Sequence, residues 1–412
     1  MRGFIVVLSL FFPFYYIYAM ELKIASYNVE NLFDMHYDGT EYDRYLPNRD
    51  NWTKSILDKK LQNISEVICE LDADIIALQE IENQNALKLL QKSLKYYGCR
   101  YNYSAISHTK NSAIQVALLS KISIKTHKDI VVTKTLGARD ILEVTIIDNK
   151  PLYIFVNHWN SKRSPESKRI ISALALKKRL LSLPSNSQYI LLGDFNSNYN
   201  EYKRVGKTGI NTILNSMLLR EESMRESRFK HYNLWLELQP YKRWSYDFYG
   251  DKQGLDAILI PPTLFDGKDI DYINDSFGVF KKSYMFTKKG YTNRWRYKKG
   301  RHLGIGYSDH LPIYASFSTR PYILKKREPN RGECRVEDLY NIESLPCTLK
   351  DVKVVSKRGR GVTITDSKER IFVYGVDRSI KIGKNYDIEV YETKIYKGIY
   401  EVIDFSINLS DN

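Results

Sequence analysis

The chain has 412 residues, a formal net charge of +15 and a sequence pI of about 9.3. Hydrophobic residues make up 43% and mean hydropathy is -0.42, as in a folded soluble protein, and beyond the N-terminal run no stretch is apolar enough to span a membrane. Low-complexity tracts and clear short repeats are absent, which excludes repeat arrays, and the basic balance favours polyanions such as nucleic acid or an acidic membrane face.

Arg2 precedes an apolar run from Phe4 to Tyr18 that ends at Ala19. The run is shorter than the roughly 20 residues of a spanning helix and contains Pro13. Residues 1–19 therefore read as a signal peptide, and the expected location is extracellular or periplasmic, with no stable membrane insertion after cleavage. Export makes disulfides the expected state of the four cysteines. Of three possible pairings, Cys69–Cys99 and Cys334–Cys347 keep each bond within one expected domain; four reduced thiols are the alternative.

After the leader, Leu22–Tyr27 reads as a buried strand. Ile56, Leu57, Leu61, Ile64, Val67, Ile68 and Leu71 recur at helical steps and predict a helix over Ser55–Leu71. Asp74–Leu78 is a strand, and Ala86–Leu94 a helix. Further strands are expected at Ile114–Leu119, Ile141–Ile147, Leu152–Asn157, Tyr189–Leu192, Ala257–Ile260 and Ile313–Phe317. A helix over Lys168–Leu183 is expected to bury Leu174, Leu180 and Leu181. Hairpin-like neighbours such as Ile141–Ile147 and Leu152–Asn157 argue for mixed sheets, two of them, flanked by helices. This catalytic unit spans 20–318. Thr319–Gly332, with two prolines and five basic residues, reads as a linker. The remainder, 333–412, carries five short strands and reads as a small β-barrel of the oligonucleotide-binding (OB) type.

Charge is uneven. No acidic residue lies between Asp275 and Asp309, an interval that holds Lys281, Lys282, Lys288, Lys289, Arg294, Arg296, Lys298, Lys299 and Arg301 interleaved with aromatics including Trp295. Cations track phosphates and aromatics stack on bases, so this interval is a candidate substrate contact.

Polar clusters sit at strand ends: Asn28, Glu80, Asn157-His158, Asp194-Phe195-Asn196 and Ser308-Asp309-His310. Polar ends of buried strands gather at one rim, where sheet ligands bind. Phosphodiester hydrolysis needs an activated water, neutralised phosphate charge and a protonated leaving oxygen. A hard divalent cation on Glu80 and Asp309 would answer the second need. His310 suits a base and Asp256 its orienting carboxylate. Asp194 and Asn196, alternating along an extended segment, would face one side and orient water or phosphate. His158 could donate to a phosphoryl oxygen.

The segments Ser26-Tyr27-Asn28-Val29-Glu30-Asn31-Leu32, Leu78-Gln79-Glu80, Asn157-His158-Trp159, Gly193-Asp194-Phe195-Asn196, Leu255-Asp256 and Tyr307-Ser308-Asp309-His310-Leu311-Pro312 resemble, in order, the endonuclease/exonuclease/phosphatase family that includes pancreatic-type deoxyribonuclease. The resemblance implies an α/β fold, a four-layer α/β/β/α sandwich, and a Mg²⁺-dependent reaction, with Mn²⁺ or Ca²⁺ as substitutes. It implies Asn28, Glu80 and Asp309 at the metal, and His158, Asp194, Asn196, Asp256 and His310 in catalysis. Arg139 resembles a phosphate-contacting arginine. Lys162, Arg294, Trp295 and Arg296 complete the expected substrate contacts. Leader, histidine motif and tail together resemble bacterial extracellular nucleases of this family. The expected activity is therefore that of a secreted deoxyribonuclease, with RNA as a further substrate and no protein partner implied. The alternatives are a phospholipid or sphingomyelin phosphodiesterase, which requires an apolar loop near Phe277–Phe286, and a non-catalytic nucleic-acid-binding protein.

Overall fold

The computed structural model describes residues 20–133, 137–146, 150–216, 229–238, 242–319, 332–340, 345–377, 379–396 and 399–410. The expected leader and most of the expected linker lie outside the described residues. Among those described, no helix is long and apolar enough to cross a membrane.

β1 (Glu21–Leu32) is buried from Ala25 onward. α1 (Lys54–Leu71) starts at Thr53, whose hydroxyl accepts from the Ile56 N–H, and stops at Asp72 in the left-handed conformation. There follow β2 (Ile75–Ile81), α2 (Gln84–Tyr96), β3 (Tyr103–Ile106), β4 (Gln115–Ser120), β5 (Ile124–Ile130), β6 (Ile141–Ile146), β7 (Leu152–His158), α3 (Glu166–Leu181) and β8 (Gln188–Asp194). Short pieces come next: β9 (Tyr232–Asn233), the hairpin β10 (Tyr246–Phe248) and β11 (Asp251–Gln253), β12 (Asp256–Ile260), β13 (Asp271–Tyr272), β14 (Gly278–Val279), the hairpin β15 (Tyr297–Lys298) and β16 (Arg301–His302), and β17 (Ile313–Ser318).

Two mixed sheets result. One has the order β13-β17-β1-β2-β4-β3, with β14 also on β17; the other runs β5-β6-β7-β8-β12-β9. Their parallel pairs are β1–β2 and β7–β8. Alternation sorts the first sheet's side chains by face. Leu22, Ile24, Ile75, Ala77, Val116 and Leu118 share a core with second-sheet residues such as Val144, Ile154 and Leu191. Ala25, Tyr27, Ile76, Leu78, Ala117 and Leu119 pack instead with α1 and α2 residues such as Ile64, Ile68, Leu87 and Leu90.

α3 buries a different stripe from the one expected. Arg169, Ser172, Ala173, Leu176 and Leu180 face inward, while Leu174 and Leu181 are 50% and 60% exposed. Arg169 misled the pattern: its guanidinium is buried because Glu166 and the carbonyls of Asn160 and Ser161 satisfy it. β5 escaped the sequence pattern because it is an edge strand with solvent-facing Lys125, Thr126, His127 and Lys128, and charged edges resist further pairing.

The tail has its own core, including Leu349, Val354, Val373 and Ile388. β18 (Glu333–Cys334) lies parallel on β19 (Cys347–Arg358). β19, β20 (Gly361–Thr365), β21 (Arg370–Tyr374), β23 (Ile399–Leu409) and β22 (Asn385–Tyr396) are neighbours in that order, and β22 pairs back onto β19. The five strands close a barrel, consistent with the OB type, and β21–β23 is its parallel pair. Disulfides join Cys69 to Cys99 and Cys334 to Cys347.

The barrel docks on the earlier sheets through charge. Asp404 of β23, 5% exposed, accepts from the Tyr199 hydroxyl and from Arg243 at 3.0 Å, and Lys203 Nζ lies 3.4 Å away. Arg360, in the β19–β20 turn, donates to the carbonyls of Arg204 and Tyr202.

Candidate active site

Both sheets deliver polar groups to one rim. Asn28 lies near the end of β1 opposite Gln79, next to Glu80 on β2. His158 closes β7 opposite Asp194 of β8, and Asp256 opens β12 opposite the same Asp194. Asp309 and His310 precede β17, the antiparallel neighbour of β1. The backbone turns left-handed at Glu80 (φ 67°), Asn196 (φ 49°) and Glu30 (φ 53°). Such backbone costs about 1–3 kcal/mol per non-glycine residue and clusters at functional sites.

Asn28 joins the sheets: its Nδ2 donates to Glu80 Oε1 at 3.1 Å and to Asp194 Oδ2 at 3.2 Å. His158 Nε2 faces the same oxygens, 3.9 Å from Glu80 and 3.6 Å from Asp194, while its Nδ1 is buried without a partner. His310 Nδ1 lies 2.8 Å from Asp256 Oδ2, which leaves Nε2 3.8 Å from Asp194 Oδ2. Asn196 is not on an extended continuation of β8. Its backbone N–H donates to Asp194 Oδ1 at 2.8 Å, and its amide reaches the Trp159 carbonyl at 3.0 Å, so it braces the turn.

Burial sets the charges. It pushes Asp194 up to about 7, with His310 pulling down and Asp256 pushing further up. Burial and then Asp309 raise Glu80. Burial, Arg139 and His310 depress His158 well below the usual imidazole range, so it is neutral. Burial also acts to lower His310, but Asp256, Asp194 and Asp309 outweigh it and raise this imidazole well above that range.

Among the expected substrate contacts, half-buried Arg139 donates to the carbonyls of His158 at 3.0 Å and Trp159 at 2.7 Å, against the histidine segment. Lys162 pairs with buried Glu201 at 2.8 Å and is not gathered at the rim. Arg294 binds Glu30 at 2.8 Å and Asp309 at 3.3 Å. Trp295 is 3% exposed, its indole donating to His302 Nδ1 at 3.0 Å, so it packs rather than offering a ring face. Arg296 is exposed, as are Lys281, Lys282, Lys288, Lys289, Lys298, Lys299 and Arg301. In Phe277–Phe286, Phe277 and Met285 are buried and the exposed positions are lysines and Ser283, so no apolar loop protrudes there.

The structure adds residues to the expected set. Ser245 Oγ donates to Asp256 Oδ2 at 2.5 Å, and the Tyr246 ring lies 4.9 Å from that of His310. Glu30, beneath Asp309, accepts from Arg294 and from the Trp295 N–H at 2.9 Å; burial and then Asp309 raise it to about 7. Lys60, fully buried, donates to the carbonyls of Glu30 at 2.8 Å and Tyr307 at 3.2 Å, tying β1 to the Ser308-Asp309-His310 turn. A lysine on the apolar stripe of a predicted helix was the readable signal for it.

A divalent cation fits this rim at one place better than another. Asp194, Asp256 and His310 bring three ligand atoms within 4.8 Å of one another. Yet they are deeply buried, and His310 Nδ1 is committed to Asp256. Glu80 and Asp309 keep 19% and 17% of their side-chain surface open, each is a hard oxygen donor, and Glu80 is bonded to Asn28.

The model of the Endonuclease/Exonuclease/phosphatase family matches residues 23–319. No curated protein matches. Among solved structures, a humanized D. rerio TDP2 is 16% identical with a TM-score of 0.47, covering 72% of this chain and 98% of that one. A family protein from Bacteroides thetaiotaomicron is 14% identical with a TM-score of 0.47, covering 74% and 100%. One from Leptotrichia buccalis is 18% identical with a TM-score of 0.46, covering 71% and 98%.

Proposed function

The chain belongs to the endonuclease/exonuclease/phosphatase family, and from that premise we propose that it is an exported, metal-dependent nuclease that hydrolyses phosphodiester bonds of DNA on an α/β/β/α sandwich. The observation that carries the reading is the buried His310–Asp256 pair set 3.8 Å from Asp194, the carboxylate that Asn28 and His158 also approach, at 3.2 and 3.6 Å, from the side of Glu80.

Glu80 and Asp309, with Asn28 beside them, would hold the cation, Mg²⁺ by its hard-oxygen donor set; bound there, it would neutralise phosphoryl charge. Asp256, fixed by Ser245, orients His310 so that Nε2 faces the rim. The proton of an attacking water passes to the His310–Asp194 pair, whose Nε2 and Oδ2 lie 3.8 Å apart. Neutral His158 has its Nε2 toward the carboxylates, placed to donate to a phosphoryl oxygen. Arg139 braces that histidine segment from behind.

Substrate class rests on charge. The acid-free interval supplies eight exposed cations and leads from Arg294, at Asp309, outward. That favours a polyanion over a lipid surface. Two disulfides suit an oxidising compartment and support export after cleavage at residue 19.

The test is plasmid incubation with the mature protein and Mg²⁺, with and without chelator, beside a sphingomyelin assay. Chelator-sensitive plasmid nicking with no phosphocholine release is expected. Folded protein that leaves the plasmid intact, or that releases phosphocholine instead, would sink the proposal.

A further inference from the structure

A second cluster of oxygen donors lies outside the rim, in the loop after β1. One carboxylate oxygen each from Asp38, Glu41 and Glu82 lies within 4.8 Å of the others. Acidic clusters on a surface loop are common, and by itself this one would say nothing. Glu82 changes that. It is 3% exposed, and although its Oε2 accepts the Asp34 N–H at 2.6 Å, its Oε1 is buried without any hydrogen-bond partner. Among the described residues neither Glu82 nor Glu41 has a cationic partner, and exposed His36 approaches only Asp38, at 3.6 Å. Buried Asp34 adds a fourth carboxylate nearby, its oxygens taken by the His36 N–H and Asn85. A buried carboxylate oxygen left without a partner beside other carboxylates is costly unless a cation completes it.

The geometry points to a cation site separate from the catalytic rim, formed by Asp38, Glu41 and Glu82 and taking Ca²⁺. The donor set is all carboxylate, which selects a hard ion. Oxygens on opposite sides of Ca²⁺ stand roughly 4.6–5.2 Å apart, and the separations here fall within that limit. Asp38 is exposed and Glu41 half-exposed, so the solvent side is open to the waters that fill a Ca²⁺ shell of roughly 6–8 ligands. Asn83, donating to Asp38 at 2.8 Å, steadies one ligand from the start of α2. The ion would tie the loop, at Asp38 and Glu41, to the end of β2.

Trp52 provides a built-in reporter: its indole donates to the Asp34 carbonyl at 3.2 Å. The full mature chain carrying Glu80→Gln and Asp309→Asn, which disable the rim, is titrated with Tb³⁺ while Trp is excited. Saturable sensitised emission, displaced by Ca²⁺, is expected. It should weaken at least about tenfold when Asp38→Asn and Glu41→Gln are added, both on the accessible side where folding is not at stake. Saturating Ca²⁺ should also raise the melting temperature by about 2 °C or more in the parent and not in that variant. Emission unaffected by Asp38→Asn/Glu41→Gln, or absent altogether with no Ca²⁺-dependent thermal shift, overturns the site. Because the readout is binding, its failure is separate from any failure of the nuclease reading.

Discussion

Two buried carboxylate clusters lie on either side of the segment Arg243–Ser245, and they are completed differently. Where the barrel docks, Asp404 is surrounded by donors: the Tyr199 hydroxyl, Arg243 and Lys203. At the rim, Glu80, Asp194 and Asp256 face two histidines and an amide, and buried atoms such as Asp256 Oδ1 and His158 Nδ1 have no partner. Burial pushes Asp194 up to about 7, with Asp256 adding to it against the pull of His310. A cluster that satisfies itself holds parts together. A cluster left short of donors and positive charge is held ready for a ligand that supplies them.

The largest expected effect separates these roles. His310→Ala should lower plasmid cleavage by about a thousandfold, in the range of a lost acid–base group. Its melting temperature should stay within a few degrees of the parent, because the side chain removed belongs to the under-satisfied cluster. Initial rates and thermal unfolding on the same preparation decide. A variant that keeps a tenth of the parent rate would remove the rim from the chemistry.

Asp404→Ala should do the reverse. It leaves Arg243 and Lys203 buried without their carboxylate, a loss of about 3–5 kcal/mol when one partner of a buried pair is removed. Urea unfolding reads it. Cleavage per folded molecule at low temperature should be unchanged, and a thousandfold rate loss would mean that the docking cluster belongs to the reaction after all.

His231 isolates burial from charge. It is fully buried in the second sheet's core, bonded to the Tyr189 hydroxyl at 3.0 Å and to the Leu214 carbonyl, and burial lowers it to about 4 despite that carbonyl. His310 is as deeply buried, yet its carboxylates take it the other way. Between about pH 6.5 and 4 the unfolded chain takes up a proton at residue 231 that the folded chain refuses. Stability from this residue is therefore complete above 6.5 and lost as pH falls toward 4, by up to about 3 kcal/mol. Urea midpoints across that range should show the slope, and His231→Gln should flatten it. An unchanged slope in the variant would assign acid lability elsewhere.

How much of this could be read beforehand follows from the same physics. Buried strands announce themselves as apolar runs, and polar groups that break such runs at their ends have few reasons to be there, so Asn28, Glu80, His158, Asp194 and His310 stood out. The Asp256 segment was too short to stand alone and leaned on the family resemblance. Side chains whose role depends on a distant partner left no local trace. Ser245 matters because Asp256 lies across a strand pair, and Asp404 because a separate barrel brings it to Arg243, 161 residues away in sequence. Asn196 shows a different failure: alternation along a strand was the right rule, but the strand ends at Asp194, and a left-handed turn redirects the next polar side chain.

The smallest effect tests the premise beneath the comparison, that surroundings and not bond length set what an ion pair contributes. Lys54 and Asp58 form an i,i+4 pair on α1 at 2.8 Å, the separation found for His310 and Asp256. The helix pair keeps 79% and 56% of its side-chain surface exposed, against 6% and 1% for the rim pair. Water and salt screen the first, and holding two long side chains in register consumes most of what attraction remains. Asp58→Ala should therefore change unfolding free energy by no more than about 0.5 kcal/mol, and less still in high salt. A loss above about 1 kcal/mol at moderate ionic strength would show that a short exposed contact contributes as a buried one does, and the contrast between Asp404 and the rim would then need another cause.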